Sequence, residues 1–139
     1  MPSVPSPTAR GTRVAHIGIA VRALDEILPL YRDVLGLTEV PLDDADGARI
    51  AGLAAGESLV ELLESQTDAS PIASFVAKRG PGIHHICFVV DDLDASLARC
   101  RAAGVRLIDD TPRIGAEGKR IAFLHPSATG GVLIELTED

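Results

Sequence analysis

Two stretches of the chain share one pattern of polar and apolar positions, with a histidine near the head of a strand-like apolar run. They are VAHIGIAV at residues 14–21 and IHHICFVV at residues 83–90. Each half also carries a later apolar run with one carboxylate inside it, LVELLE at 59–64 and LIELTE at 133–138. Short apolar runs of this kind predict strands. Their repetition predicts two modules related by duplication.

The spacing of the repeated residues supports duplication. Glu61 follows His16 at nearly the distance at which Glu135 follows His85, so one short insertion reconciles the halves. Each half also has a predicted helix that ends at a glycine, Gly36 in the first and Gly104 in the second. Each half is therefore predicted to be one structural unit.

The first half is predicted to have the order βαβββ. After the strand at 14–21, a helix opens at Asp25 and ends at Gly36, with Pro29 expected only near its start. The buried face of this helix follows the i, i+3, i+4, i+7 spacing, at Ile27, Leu30, Tyr31 and Val34. Turn-forming residues then separate three predicted strands, at 38–42, 48–53 and 59–64.

The second half is predicted to repeat this order after a short connector. Ser70 and Pro71 predict the N-cap and first position of a connecting helix. The repeat consists of a strand at 83–90, a helix at about 92–103, and strands at 105–109, 120–125 and 132–137. We therefore predict a disordered tail at 1–12 and one domain at 13–139, with modules 13–66 and 82–139 joined by a helical linker at 67–81.

The predicted fold class is α+β. A βαβββ sheet buries one face against its helix and leaves the other face concave. Two such modules side by side are expected to form an open, barrel-like cleft, and a concave site of this kind is where ligands bind. The chemistry of the protein is therefore expected in that cleft.

Strand alternation predicts which side chains face the cleft. On the first strand His16, Gly18 and Ala20 share one face, while the bulkier apolar residues face the helix. By the same count His85 lines the cleft with Cys87, and the adjacent His84 is turned away.

Four residues at matched positions of the two halves form a candidate metal site, namely His16, Glu61, His85 and Glu135. A single histidine or glutamate in a strand is more often a solvent-facing residue, but four in repeat-related positions favour a shared site. Imidazole and carboxylate suit Co, Mn, Ni, Zn or Fe in the divalent state, so these residue types do not select one metal.

Composition restricts the remaining possibilities. The 139 residues carry a formal net charge of -7, which argues against nonspecific nucleic-acid binding. No segment approaches the roughly 20 consecutive apolar residues that cross a bilayer, so no membrane partner is expected. The two cysteines, Cys87 and Cys100, are expected as free thiols in a reducing compartment. The expected location is the cytoplasm, or the mitochondrial matrix if the source is eukaryotic.

With these features the chain resembles the methylmalonyl-CoA epimerases, a family of the vicinal oxygen chelate (glyoxalase/bleomycin resistance/dioxygenase) superfamily. The modules and the four candidate ligands are shared by the whole superfamily. Closer to the epimerases are IGAEGKRIAFLHP at 114–126, TGGVLIEL at 129–136, SPIA at 70–73 and GIHHI at 82–86. The resemblance covers residues 13–138, nearly the whole chain.

The resemblance implies interconversion of (2R)- and (2S)-methylmalonyl-CoA by metal-assisted removal of the C2 proton through an enolate. It implies a small acyl-CoA substrate, a divalent metal cofactor and a homodimer. Glu135 and Glu61 are the candidate acid/base residues as well as candidate ligands. Some members of the family have a further glutamate on the preceding strand, whereas residues 48–53 contain no carboxylate, which leaves the second acid/base open.

Three other polar residues are candidates for substrate binding. Lys119 and Arg120 follow the flexible stretch at 115–118 and would meet the CoA phosphates or the substrate carboxylate, with a solvated basic turn as the alternative. His125 ends a predicted strand before Pro126, where shaping the turn is the alternative role.

Other functions remain open at this point. A glyoxalase I-like lactoylglutathione lyase would use the same four ligands on a glutathione hemithioacetal. An extradiol dioxygenase would need two histidines and one carboxylate on iron, and Glu61 as a fourth ligand counts against it. A non-enzymatic small-molecule-binding module of the same fold would need no metal ligands.

Overall fold

One curled sheet of eight strands organises residues 12–139, the part of the chain that the computed structural model describes. The strands are β1 (Arg13–Val21), β2 (Thr38–Val40), β3 (Ala48–Ala55), β4 (Ser58–Ser65), β5 (Gly82–Val89), β6 (Arg113–Ile114), β7 (Arg120–Leu124) and β8 (Leu133–Thr137). The α-helices are α1 (Leu24–Pro29), α2 (Pro71–Arg79) and α3 (Leu93–Ala102). Most of the predicted tail, residues 1–11, lies outside the described residues.

The strand order confirms the two predicted modules and the α+β class. It runs β2-β3-β4-β1-β5-β8-β7-β6, so the first strands of the two modules, β1 and β5, are neighbours at the centre. These two strands are antiparallel to each other, and each pairs in parallel with the last strand of its own module, β4 or β8. The sheet is therefore built symmetrically outward from one central pair.

The core divides between the two faces of the sheet. On the outer face α1 packs in one module through Leu24 and α3 in the other through Leu93 and Leu97, each within its own apolar cluster. On the inner face, α2 packs through Ile72 against Ala20, Ala48 and Leu63. The connecting helix therefore closes one end of the inner face and leaves the rest of that face to the cleft.

A glutamate at the end of each module's last strand caps that module's helix. Glu64 Oε1 accepts a hydrogen bond from the Leu24 amide at 3.0 Å, and Glu138 Oε2 accepts one from the Leu93 amide at 2.9 Å. These amides belong to the first helical residues, which have no partner within the helix, and the negative charge suits the helix N-terminus. Each glutamate also pairs with an arginine, Arg49 or Arg120.

The predicted first helix is interrupted at Pro29, which contradicts the continuous helix expected from the apolar spacing. The α-helical turns end at Pro29, and Leu30–Val34 continues as a π-helix in which the Leu35 amide donates to the Leu30 carbonyl at 2.8 Å. Proline has no amide hydrogen to donate, so the backbone hydrogen bonds change from α-helical to π-helical spacing after Pro29. Leu30 and Val34, expected to be buried, are 47% and 75% exposed.

The strand predicted at 105–109 is also absent from the described structure. Only an isolated bridge between Leu107 and Leu124 forms there, and the edge strand of this module is β6. The Phe123 amide donates to a carboxylate oxygen of Asp109 at 2.8 Å, so a side chain takes a place that the backbone would hold in a ladder.

No helix within residues 12–139 has the length and apolar character needed to span a membrane.

We predict that Glu64→Ala and Glu138→Ala each lower the free energy of unfolding by about 1 kcal/mol, because each leaves a first-turn amide uncapped. Urea denaturation monitored by circular dichroism measures the loss. Glu57→Ala, at the exposed turn between β3 and β4, is the matched control and should unfold as the unsubstituted protein does. Equal stability of all three variants would show that the caps contribute nothing.

Candidate functional site

The pairing of β1 with its two neighbours places the predicted residues in two adjacent rows across the sheet. In one row Gly18 stands between Glu61 of β4 and His85 of β5. In the other, His16 opposes Cys87, which in turn opposes Glu135 of β8. Side chains two residues apart on one strand share a face, so both rows point into the cleft.

Gly18 makes this arrangement sterically possible. A Cβ added at this position would lie 2.2 Å from Cε1 of the His85 imidazole, far inside van der Waals contact. Any side chain at position 18 would therefore displace the imidazole. The strand needs glycine here because of that close approach rather than because of its backbone angles.

A β-bulge brings His84 to the cleft together with His85, which corrects the prediction that His84 is turned away. The pairing of β1 with β5 shifts between Gly18, opposite His85, and Ile19, opposite Ile83, so His84 is the extra residue. A bulge interrupts strict alternation and re-aims side chains. The Nδ1 atoms of the two histidines lie 3.0 Å apart, and the His84 ring packs edge-on against Phe75 of α2.

Three of the predicted ligands present one atom each to a common point. His16 Nε2 lies 3.0 Å from His85 Nε2 and 3.0 Å from Glu135 Oε1, and the last two atoms are 3.2 Å apart. Adjacent ligands in an octahedral shell with bonds of about 2.1 Å are separated by about 3 Å. This triangle therefore has the dimensions of one face of a metal's coordination shell.

Two carboxylates meet the other nitrogen of the same ring. Oε2 of Glu61 lies 3.1 Å from His16 Nδ1, and Oε2 of Glu117, from the loop between β6 and β7, lies 3.2 Å from it. Among the described residues, His16 Nδ1 and Glu61 Oε2 are buried without an aligned hydrogen bond, despite their short separation. Burying polar atoms without hydrogen-bond partners is costly. These two atoms are therefore free to bind a cation or another ligand.

The acid/base properties of the site follow from its burial and close contacts. Burial alone lowers the pKa of His16, but its close contacts with Glu117 and Glu135 and the charge of Glu61 outweigh burial and raise the pKa to about 10. Burial alone would raise the pKa of Glu135, yet its contacts with His16 and His85 bring it down to about 2. Without a cation, His16 and Glu135 thus form a buried imidazolium–carboxylate pair.

The pKa shifts of Glu61, His84 and Cys87 favour the neutral form of each side chain. Burial, only partly offset by His16, raises the pKa of Glu61 to about 7, with Glu117 and Glu135 adding to the shift. Burial and the neighbouring His85 lower the pKa of His84 to about 4. Burial also raises the pKa of the Cys87 thiol, helped by nearby carboxylates, so this sulfur is a poor ligand beside the oxygen and nitrogen donors.

A cavity of about 470 Å³ lies between the inner face of the sheet and α2, and its lining includes His16, Glu61, His84, His85, Glu117 and Glu135. At its rim Arg113 of β6 binds Asp46, in the turn before β3, with separations of 3.1 and 3.3 Å. This pair joins the two modules, and the Arg113 guanidinium also lies 5.4 Å from the centre of the Phe123 ring. The cavity therefore has buried carboxylates at its floor and an arginine paired with carboxylates at its rim.

The predicted substrate-binding residues are not gathered at one place. Lys119 lines the cavity, with its ammonium 3.7 Å from an Asp139 carboxylate. Arg120 lies towards α3, where it pairs with Asp94 and Glu138. His125 caps the 3₁₀ turn at Pro126–Ala128, accepting a hydrogen bond from the Ser127 amide.

Sequence reasoning assigned no role to Glu117 or Arg113. Arg113 has no counterpart in the other module, so the internal repeat carried no signal for it. Glu117 does have one, because AEGKRIAFL at 116–124 repeats ADGARIAGL at 45–53 and aligns Glu117 with Asp46. His84 was set aside because alternation cannot anticipate a bulge. The adjacent pair of histidines, with Gly18 on the facing strand, was the available hint.

A divalent cation fits the chemistry of this donor set. His16, Glu61 and His85 each have one ligand atom within 4.8 Å of the others, and the same holds for His16, Cys87 and Glu135. Two imidazoles with buried carboxylates suit a borderline metal, and an anionic, partly unsatisfied pocket gains from added positive charge. His16 is common to both groups and would be the central ligand.

Comparison with known proteins agrees with this fold and site. Residues 15–123 match the model of the Glyoxalase/Bleomycin resistance protein/Dioxygenase superfamily. The chain is 40% identical to the mitochondrial methylmalonyl-CoA epimerase of Dictyostelium discoideum, covering 91% of this chain and 78% of that protein.

Two solved structures are similar over nearly the whole chain. One is methylmalonyl-CoA epimerase from Mycobacterium tuberculosis, with 40% identity, a TM-score of 0.87, and coverage of 98% of this chain and 92% of that one. The other is a methylmalonyl-CoA epimerase in complex with methylmalonyl-CoA and NH4+, with 39% identity, a TM-score of 0.88, and coverage of 94% and 96%. The chain therefore belongs to the glyoxalase/bleomycin resistance/dioxygenase superfamily and, within it, to the family of the methylmalonyl-CoA epimerases.

Proposed function

We propose that the protein is a divalent metal-dependent methylmalonyl-CoA epimerase, which interconverts the (2R) and (2S) forms through an enolate. The convergence of His16, His85 and Glu135 at the floor of one cavity is the observation that carries this proposal. The similar proteins are methylmalonyl-CoA epimerases, so methylmalonyl-CoA is the proposed substrate and isomerisation the proposed reaction.

The proposed metal ligands are His16, Glu61, His85 and Glu135, as the internal repeat predicted. The octahedral dimensions of the triangle support His16, His85 and Glu135 as ligands, and the unsatisfied Glu61 oxygen beside the other nitrogen of the His16 ring supports the fourth. When bound, the cation would polarise the thioester carbonyl and stabilise the developing enolate oxygen. Cobalt, manganese, nickel and zinc all remain suited to these donors.

The protein's own residues would remove and return the proton. Glu135 is proposed as one acid/base, since its carboxylate stands at the floor of the cavity beside His16 and His85. The two histidines orient this carboxylate from 3.0 and 3.2 Å. Glu61 was the sequence-based candidate for the partner acid/base, and its buried Oε2, which has no hydrogen-bond partner, favours a ligand role instead.

Two basic side chains on the cavity lining would bind the negative charges of an acyl-CoA. Lys119 stands on the loop between β6 and β7, and Arg113 on β6 lies at the rim. Arg113 presents a planar fork that suits a carboxylate or a phosphate, and of its two carboxylate partners, Asp46 and Asp109, Asp46 is exposed and exchangeable. We propose that Lys119 and Arg113, rather than Arg120 or His125, contact the substrate.

We also propose that the protein forms a homodimer, as the family resemblance implied. The π-helical segment and the residue after it expose three apolar side chains, Leu30, Val34 and Leu35, at 47%, 75% and 60%. Clustered exposed apolar side chains are typical of an interaction surface.

The epimerase proposal is tested by proton NMR of one methylmalonyl-CoA epimer in deuterated water. We expect the C2 proton to exchange for deuterium with loss of stereochemical purity. A chelator should abolish both changes, a divalent metal should restore them, and His85→Ala should lack them. Absence of exchange with every divalent metal, relative to substrate in buffer alone, would contradict the proposal.

A second prediction concerns the glycine opposite His85. Gly18→Ala should weaken cobalt binding by about 10- to 100-fold, because the added methyl group displaces the His85 imidazole from the ligand set. Competition with a chromophoric chelator measures the affinity. Gly82→Ala is the matched control on β5, since a Cβ there would meet no atom within 4 Å. Unchanged affinity in Gly18→Ala would remove His85 from the proposed ligands.

A further inference from the structure

Glu117 is a carboxylate at the candidate site that the proposed mechanism does not yet use. It stands on the loop between β6 and β7, and its Oε2 atom reaches His16 Nδ1 at 3.2 Å. Glu135 contacts the opposite nitrogen of the same ring, Nε2, at 3.0 Å. The two carboxylates therefore lie at the two ends of one imidazole, at the floor of the cavity.

Epimerisation requires such a pair. Inverting a carbon centre through a planar enolate means removing the proton on one face and returning a proton on the other. One carboxylate cannot reach both faces of a bound substrate, so two acid/base groups are needed. The cavity lining includes four carboxylates, those of Asp46, Glu61, Glu117 and Glu135.

The surroundings of these carboxylates distinguish them. Asp46 is at the rim, 51% exposed and bound to Arg113. The Glu61 side chain is 3% exposed in the middle of β4, between two paired strands. Neither position combines contact with the site and access from solvent.

Glu117 has both properties. Its side chain is 22% exposed, and it lines the main cavity as well as an adjoining shallow cavity bordered by Pro41 and Leu42. A proton taken up by this carboxylate therefore has a route to solvent. Its position on a loop rather than in a paired strand lets it approach a substrate bound over His16.

We infer that Glu117 is the second acid/base of the epimerase reaction, acting on the face of C2 opposite to Glu135. In one direction the Glu135 carboxylate takes the C2 proton, the C–H electron pair forms the enolate, and protonated Glu117 returns a proton to the other face. In the reverse direction the roles exchange. This inference rests on the proposed function and assigns its missing residue.

The test uses Glu117→Gln, which keeps the shape and hydrogen-bonding capacity of the side chain but cannot accept the proton. Each epimer is incubated separately in deuterated water, and deuterium uptake and inversion are measured independently. The epimer whose C2 proton faces Glu135 should still exchange with retention of configuration. Inversion should fall by about 100-fold or more. Glu57→Gln, on an exposed turn, should behave as the unsubstituted protein.

Bound cobalt is measured for each protein, so that loss of a base is separated from loss of the metal. Full cobalt content with exchange but no inversion supports the inference. Unchanged inversion overturns it, as does a parallel loss of exchange, inversion and cobalt, which would make Glu117 a support for the metal site. If the unsubstituted, metal-loaded protein neither exchanges nor inverts, the proposed function itself fails.

Discussion

The antiparallel pairing of β1 with β5 is the interaction on which the site depends. These strands come from different modules, and their register places Gly18 opposite His85 and His16 opposite Cys87. The parallel partners β4 and β8 then add Glu61 level with Gly18 and Glu135 level with Cys87. A slip of one residue would turn the side chains of a strand to the other face and separate the histidines. The duplicated architecture thus creates the site only at its internal boundary.

The electrostatics of the pocket follow from this convergence. Burial of several carboxylates around two imidazoles is costly unless positive charge compensates. Protonated His16 supplies one charge, and its raised pKa and the low pKa of Glu135 reflect that pairing. Burial raises the pKa of Glu61 to about 7, and the charge of His16 offsets this shift only in part. A divalent cation would supply the remaining positive charge. The buried carboxylates would then be stable in the fold, and the site would also attract an anionic substrate.

The sequence predicted the modules, the four central residues and the cleft because repetition and strand alternation are local patterns. It did not predict the π-helical turn after Pro29, since apolar spacing carries no information on a missing amide donor. It missed the β-bulge at His84, which depends on the register between strands far apart in the chain. Glu117 was missed for a related reason: its place beside His16 is set by a loop that folds back from the edge of the sheet.

The most direct test of the central claim is X-ray absorption at the cobalt edge of the cobalt-loaded protein. We predict a shell of nitrogen and oxygen ligands at about 2.1 Å with the scattering of two imidazoles. His85→Ala should reduce that scattering to one imidazole. A shell without imidazole scattering, or one containing a sulfur from Cys87, would contradict the account.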